Sequence, residues 1–209
     1  MIVLPEPNAI KFVKQKTMAM KAKEVIEIVP TKDIFVGDPK SPVTLTEFGD
    51  YESEACAKAN EVVDKLLKDF EGKMKFNYRH FPLTKIHQQS QKAAEASLGA
   101  AQEGEVKFWA MHNMLFAHRR RLGAISLREY AKEVGVVNKK FLDDLVNSTF
   151  GWQVRSDLLE GLDKGVRDVP AFFINDELFT GKPTYDNLSK AISAALKTKK
   201  KKADAKEKV

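Results

Sequence analysis

The alternation of apolar and polar residues predicts the first elements of the chain. The segment VTLTEF (43–48) alternates and is rich in β-branched residues, and MKFNYRHF (74–81) alternates in the same way, so both are expected to be strands. Between them, apolar residues recur at helical spacing from Glu54 to Phe70, which predicts a helix. Strand, helix and strand in this order form a βαβ unit, whose two strands are parallel if they share a sheet.

The pattern then changes to a long helical stretch. Residues from about 84 to 165 contain four or five helical segments separated by short turns. After them, AFFIN (171–175) predicts a short buried strand, ELFTG (177–181) a second strand, and residues 185–196 a last helix. We therefore expect an α/β fold in which a block of helices is inserted between the strands.

The two ends of the chain lack this regularity. Residues 1–23 mix Lys, Pro and Met and predict a loose N-terminal arm, whereas EVIEIVP (24–30) has the composition of a short strand. The Lys-rich end, 198–209, has no apolar periodicity and is expected to be a disordered basic tail. The folded domain would then occupy residues 24–197.

Charge is concentrated in that tail. The 209 residues carry a net charge of +6, and residues 197–209 alone contribute +5, from seven Lys against two acidic residues. The rest of the chain is close to neutral, so the sequence predicts no specific nucleic-acid partner. A solubilising role for the tail and a charge-driven contact with an anionic surface both stay open.

No segment is apolar over a length that would suit a signal peptide or a membrane span. The N-terminal segment is interrupted by Pro5, Pro7 and several Lys. The sequence therefore predicts no transmembrane segment and a cytoplasmic location, and it assigns no oligomeric state.

The chain has one cysteine, Cys56, near the start of the first predicted helix. A single cysteine excludes an intramolecular disulfide and an all-cysteine zinc site. The four histidines show no metal-ligand spacing, so we expect no metal site.

Several segments together resemble the DsbA-like branch of the thioredoxin superfamily, which contains thiol–disulfide oxidoreductases. They are VTLTEFGDYE followed by Cys56, then NYRHFPL, AAEASLGAAQEGEVKFWAMHNMLF and GVRDVPAFFIN. The resemblance spans residues 33 to about 196. It implies a thioredoxin fold, with a central mixed sheet flanked by helices and an all-helical insertion over about 84–165. It also implies a cis peptide bond between Val169 and Pro170, beside the active site.

The active-site motif departs from that family. Members carry Cys-Pro-x-Cys, whereas this chain has Ser53, Glu54, Ala55 and Cys56, so the cysteine that acts as nucleophile is replaced by serine. A hydroxyl group cannot join a disulfide, and the resemblance therefore implies a protein without dithiol oxidase turnover. Whether the chain is an enzyme stays open.

Three functions remain compatible with the sequence. The first is the binding of an extended peptide or protein partner by Val169 and Pro170, together with Glu54 and Ala55. The second is monothiol redox chemistry at Cys56. The third is a glutathione-dependent reaction in which Ser53 contacts the thiolate, as a serine does in the related kappa-class glutathione transferases. Glutathione is thus the one candidate cofactor, and a simpler role for Ser53 is that of helix N-cap.

Overall fold

The computed structural model describes residues 29–206 of the chain, with side chains as far as residue 200. The N-terminal arm 1–23 and most of the strand predicted at 24–30 lie outside the described residues. The elements in chain order are a 3-10 turn at Thr31–Asp33, β1 Phe35–Gly37, β2 Val43–Gly49, α1 Glu54–Asp69, β3 Met74–His80, α2 Ser90–Ala101, α3 Glu105–Ala117, α4 Ala124–Glu133, α5 Phe141–Val146, α6 Gly151–Asp163, β4 Ala171–Ile174, β5 Glu177–Leu178 and α7 Tyr185–Lys206.

Five strands form one mixed sheet in the order β1-β3-β2-β4-β5. Strands β2 and β3 are parallel and are joined by α1, as the βαβ pattern predicts, and the other neighbours are antiparallel. The predicted fold class, a central mixed sheet flanked by helices, is confirmed.

The two faces of the sheet carry different helices. Successive residues of β2 point to opposite faces, so Leu45 and Glu47 lie under α1, whereas Phe48 packs against Gly161 of α6. Helix α7 packs beside α1 and places Leu188 and Ile192 in the same core. Cys56 therefore lies on the α1 face of the sheet.

Helices α2 to α6 lie between β3 and β4. Helix α2 is at the centre of this block, because it packs against α3, α4, α5 and α6. Its sequence, SQKAAEASLGAA, is almost entirely buried, and its small side chains allow four helices to approach closely. The block also brings the end of α3 next to the start of α1.

At the ends of the domain, one expectation is wrong and another lies mostly outside the described residues. The additional strand is β1, within the turn-rich segment 35–42, and the described residues of the predicted strand, Val29 and Pro30, have no strand structure. Helix α7 also continues to Lys206, through most of the tail that was expected to be disordered. Lys and Ala are good helix formers, and elongation of a helix that is already packed has no nucleation cost.

Within residues 29–206, no helix combines the length and the apolar character needed to cross a membrane.

Candidate functional site at the start of helix α1

Ser53 is the N-cap of α1. Its backbone is extended (φ −69°, ψ 126°), and its hydroxyl oxygen accepts a hydrogen bond of 3.3 Å from the backbone N–H of Cys56. This bond satisfies one of the N–H groups that the first turn of a helix leaves without an intrahelical acceptor. Ser53 is only 6% exposed. The N-cap role expected for Ser53 is confirmed, because its hydroxyl oxygen accepts from the backbone.

Cys56 is enclosed by the fold. Its side chain is 0% exposed, and its sulfur accepts a hydrogen bond of 3.5 Å from the backbone N–H of Asp50. Burial raises the pKa of the thiol, and the nearby carboxyl of Glu47 raises this pKa further. Only the thiolate is a good nucleophile, and burial disfavours this form of Cys56.

Glu47 is a buried acid that sequence analysis missed. It lies opposite Tyr78 in the register of β2 and β3, and its two carboxyl oxygens have no hydrogen-bond partner among the described residues. Burial raises the pKa of Glu47 well above its usual value, because it disfavours the charged form. The alternation of β2 already places residue 47 on the same inward face as Val43 and Leu45, which was a usable indication.

Asp50 fixes the loop that joins β2 to α1. Its carboxylate accepts hydrogen bonds from the backbone N–H groups of Glu52 (2.8 Å) and Leu83 (2.7 Å), and its Oδ2 lies 2.9 Å from Nδ1 of His87. Leu83 and His87 follow β3. The Asp50 carboxylate therefore links the loop after β2 to the loop after β3, at the same end of these two parallel strands. Sequence analysis did not identify this role.

His112 is a buried histidine that packs among aromatic rings of the core. Burial lowers the pKa of His112 to about 3, so its ring is neutral. Its Nδ1 lies 3.1 Å from the Tyr51 hydroxyl and its Nε2 lies 2.9 Å from Asn60 Oδ1. The neutral ring therefore accepts from Tyr51 and donates to Asn60. Among the residues that the structure describes, no group of three or more His, Cys, Asp or Glu side chains would suit a metal ion.

The exposed rim of the site is formed by Glu54 and Ala55. The Glu54 carboxylate lies 2.8 Å from Lys58 Nζ and 3.0 Å from a terminal nitrogen of Arg119. The hydrogen bond and positive charge of Lys58, followed by the charge of Arg119, lower the pKa of Glu54. Since Arg119 follows α3, this contact connects the helical insertion to the first turn of α1.

Val169 and Pro170 lie at the same end of the sheet as this rim. The peptide bond between them is cis, and the next residue, Ala171, pairs with Phe48 at the end of β2. The backbone N–H of Val169 donates to Asp168 Oδ1 at 2.8 Å. The Val169 carbonyl oxygen accepts no hydrogen bond from the described residues, and Val169 is 7% exposed.

Comparison with known proteins places these features in a family. The family model described as "Thioredoxin" matches residues 29–194. The oxidised BdbD structure from Bacillus subtilis superposes with a TM-score of 0.72 at 27% identity, covering 78% of this chain and 92% of that one. A thioredoxin-like oxidoreductase from Silicibacter pomeroyi gives a TM-score of 0.68 at 26% identity, over 78% and 91% of the two chains.

Relatives known from sequence are longer than this chain. The Na(+)/H(+) antiporter NhaA 1 of Salinispora arenicola is 33% identical over 172 residues, which are 82% of this chain and 26% of that protein. The NhaA 3 antiporter of Salinispora tropica is 31% identical over 171 residues, again 82% and 26%. The chain thus spans about a quarter of the length of these curated relatives.

Proposed function

Because the chain belongs to the thioredoxin family, in its DsbA-like branch, we propose that it is a member that binds a partner without dithiol turnover. The partner is an extended peptide or a peptide segment of another protein. It binds at a docking surface formed by Glu54 and Ala55 on α1 and by Val169 and Pro170 before β4.

Complete burial of the only cysteine sulfur carries this proposal. Relay of electrons by exchange between a dithiol and a disulfide needs two sulfur atoms, and the position of the first one is occupied by Ser53. The remaining Cys56 is 0% exposed, and burial raises the pKa of its thiol. Neither residue is able to form a mixed disulfide with a substrate while the fold is intact.

Several features of the docking surface favour peptide binding. Ala55 presents a small exposed side chain, and the carbonyl oxygen of Val169, which accepts no hydrogen bond from the described residues, would accept one from the N–H of an extended chain. The matching donor, the N–H of Val169, is held by the side chain of Asp168. Asp168 is exposed, so a partner strand can replace its carboxylate with a carbonyl oxygen.

The two enzymatic alternatives have less support. Monothiol exchange at Cys56 would require the first turn of α1 to open, because the sulfur has no access to solvent. A glutathione reaction at Ser53 would require the thiolate to reach the hydroxyl hydrogen, and Ser53 is only 6% exposed. Binding of glutathione stays a prediction that calorimetric titration tests.

Restoring the missing sulfur tests the loss of turnover. The double variant Ser53→Cys/Glu54→Pro recreates Cys-Pro-x-Cys, and Pro is well tolerated at the first position of a helix. We expect the variant to oxidise a reduced model peptide at a rate well above background, whereas the parent protein and the single variant Glu54→Pro stay at background. The rate is followed by loss of free thiols, with the peptide's disulfide confirmed by mass spectrometry.

Two results would contradict the proposal. Peptide oxidation by the parent at the rate of the double variant would show that turnover was never lost. A double variant that forms its own disulfide, as seen by mass, and still oxidises no peptide would show that the docking surface no longer receives one.

A further inference from the structure

Three consecutive arginines, Arg119–Arg121, lie beside the docking surface. They line a cavity of about 370 Å³ together with residues 116–118. Arg119 connects this cavity to α1, because it reaches both the Glu54 carboxylate at 3.0 Å and the Glu52 carbonyl oxygen at 3.4 Å. The charge of Arg120 also acts on Glu54.

The charges of Arg120 and Arg121 are not balanced. Both side chains are exposed, and neither forms an ion pair with an acidic side chain in the described part of the chain. Of the nearby acids, Glu54 is already shared by Lys58 and Arg119, and the Glu52 carboxylate accepts from the backbone N–H of residue 89. Two guanidinium groups therefore stay available next to the docking surface.

A favourable interaction with the dipole of helix α3 does not explain the positions of Arg120 and Arg121. Helix α3 ends at Ala117 and its C-cap is His118, so Arg120 and Arg121 come after the last turn. A helix dipole acts on charges within its last turn. A function for these side chains outside the α3 helix is therefore the better explanation.

The chemistry of the cavity suits a carboxylate on a peptide. Guanidinium groups bind carboxylates through paired hydrogen bonds, which a point charge such as Lys cannot reproduce. Next to them, the ring of His118 also lines the cavity and stacks on Tyr130 with centroids 4.9 Å apart. A nucleic acid would need a longer basic stripe, and here acidic side chains interrupt the positive charge.

We propose that Arg120 and Arg121 select partners in which acidic side chains flank the segment bound at the docking surface. This inference rests on the proposed function, since the docking surface binds the peptide and the arginines determine which peptides bind more tightly.

The test compares labelled 12-residue peptides that differ in one feature. Each has a central β-branched segment, flanked on one side by Glu-Glu or by Gln-Gln, and affinities are measured by fluorescence anisotropy. We expect the acidic peptide to bind about threefold to tenfold more tightly in about 50 mM salt, as two exposed ion pairs allow. In about 500 mM salt this advantage should fall below about twofold, because screening weakens exposed pairs.

Matched variants locate the effect. Arg120→Ser/Arg121→Ser should remove the advantage of the acidic peptide and leave the affinity of the neutral peptide unchanged. Arg128→Ser/Arg155→Ser removes the same charge from exposed positions on α4 and α6, and it should keep the full advantage. Circular dichroism checks that both variants are folded.

The outcomes separate this inference from the proposed function. Equal binding of both peptides, with shifts of the Ala55 and Val169 amide signals in NMR spectra, would overturn arginine selection and keep the docking surface. Acidic-peptide binding that depends on Arg120 and Arg121 but leaves those amides unchanged would overturn the docking surface, and selection there with it. Displacement of the peptide by an equally charged oligonucleotide at the same concentration would assign the arginines to a nucleic acid and overturn the proposal.

Discussion

Glu47 and Cys56 are both buried, and the charge of Glu47 acts on the Cys56 thiol. Each would have to carry a negative charge to act as a base or a nucleophile, and burial disfavours the charged form of both. A negative charge on either group would also raise the free energy of ionising the other. The pair is therefore most stable with both groups protonated.

Glu47→Gln should make the protein more stable at high pH and have little effect at low pH. The pKa of Glu47 is raised in the folded state, so folding is favoured below the ordinary pKa near 4.5 and weakened as pH rises above it. The gain should grow by up to about 1.4 kcal/mol per pH unit until the folded pKa is reached. Urea unfolding from pH 4 to pH 9 measures it.

An exposed acid provides the control for this prediction. Glu61→Gln on the solvent face of α1 should change stability by a similar small amount at every pH. A gain from Glu47→Gln that is the same at pH 4 and pH 9 would show that the carboxyl ionises freely in the folded protein.

Local contacts explain which parts of the site were predictable. The N-cap bond from Ser53 spans three residues, and sequence alone indicated it. The inward position of Glu47 follows from strand alternation, although its lack of a partner depends on how α1 packs. The Arg119–Glu54 contact joins residues 65 positions apart, and nothing in either segment indicates the other.

At the scale of elements, α6 is held against the sheet by charge and by close approach. Arg79 of β3 lies 2.8 Å from Asp157 through its Nε and also pairs with Glu160. The other Asp157 oxygen accepts from the backbone N–H of His80 at 3.0 Å. At Gly161 the helix touches the sheet so closely that a Cβ atom would lie 2.7 Å from the Phe81 ring and 2.9 Å from the Phe48 ring.

Gly161→Ala should therefore destabilise the protein by about 1–3 kcal/mol, although Ala is the better helix former. The added methyl group must push two buried aromatic rings away from α6. Phe81→Leu replaces one of these rings with a smaller side chain and makes room for the methyl group. The double variant Gly161→Ala/Phe81→Leu should therefore be more stable than the sum of the single changes predicts. Urea unfolding of the four proteins gives the coupling, and strict additivity would contradict the contact.

Elements with strong periodicity were predictable, and short or terminal ones were not. Strands β2 and β3 and helix α1 have clear patterns, and they begin and end close to the predicted residues. Strand β1 has three residues and exists because it pairs with β3, which its own composition does not reveal. The extension of α7 depends on the packing of its first turns, which a count of charges ignores.

At the scale of the whole molecule, one hydrophobic core runs through the sheet, α1, the inserted helices and α7. A second, smaller cluster forms around α2, α3 and α6. Trp109 packs against both of them. The inserted helices and the sheet thus share one packed core, and we expect them to unfold together.

Coincident unfolding transitions would show this cooperativity. In the variant Trp152→Phe, fluorescence comes from Trp109 alone, and the change should cost little because Trp152 is 55% exposed. Far-UV circular dichroism and Trp109 fluorescence should give the same urea midpoint and slope. A Trp109 transition at lower urea would mean that the insertion melts as an independent unit.

The enclosed position of Cys56 has a consequence for the conditions under which the protein works. The single cysteine has no access to solvent, so neither glutathione nor a partner's thiol reaches a cysteine sulfur while the fold is intact. A relative with an active dithiol changes its own stability each time it is oxidised or reduced. We therefore expect the proposed docking surface to bind its partner with the same strength in reducing and in oxidising surroundings.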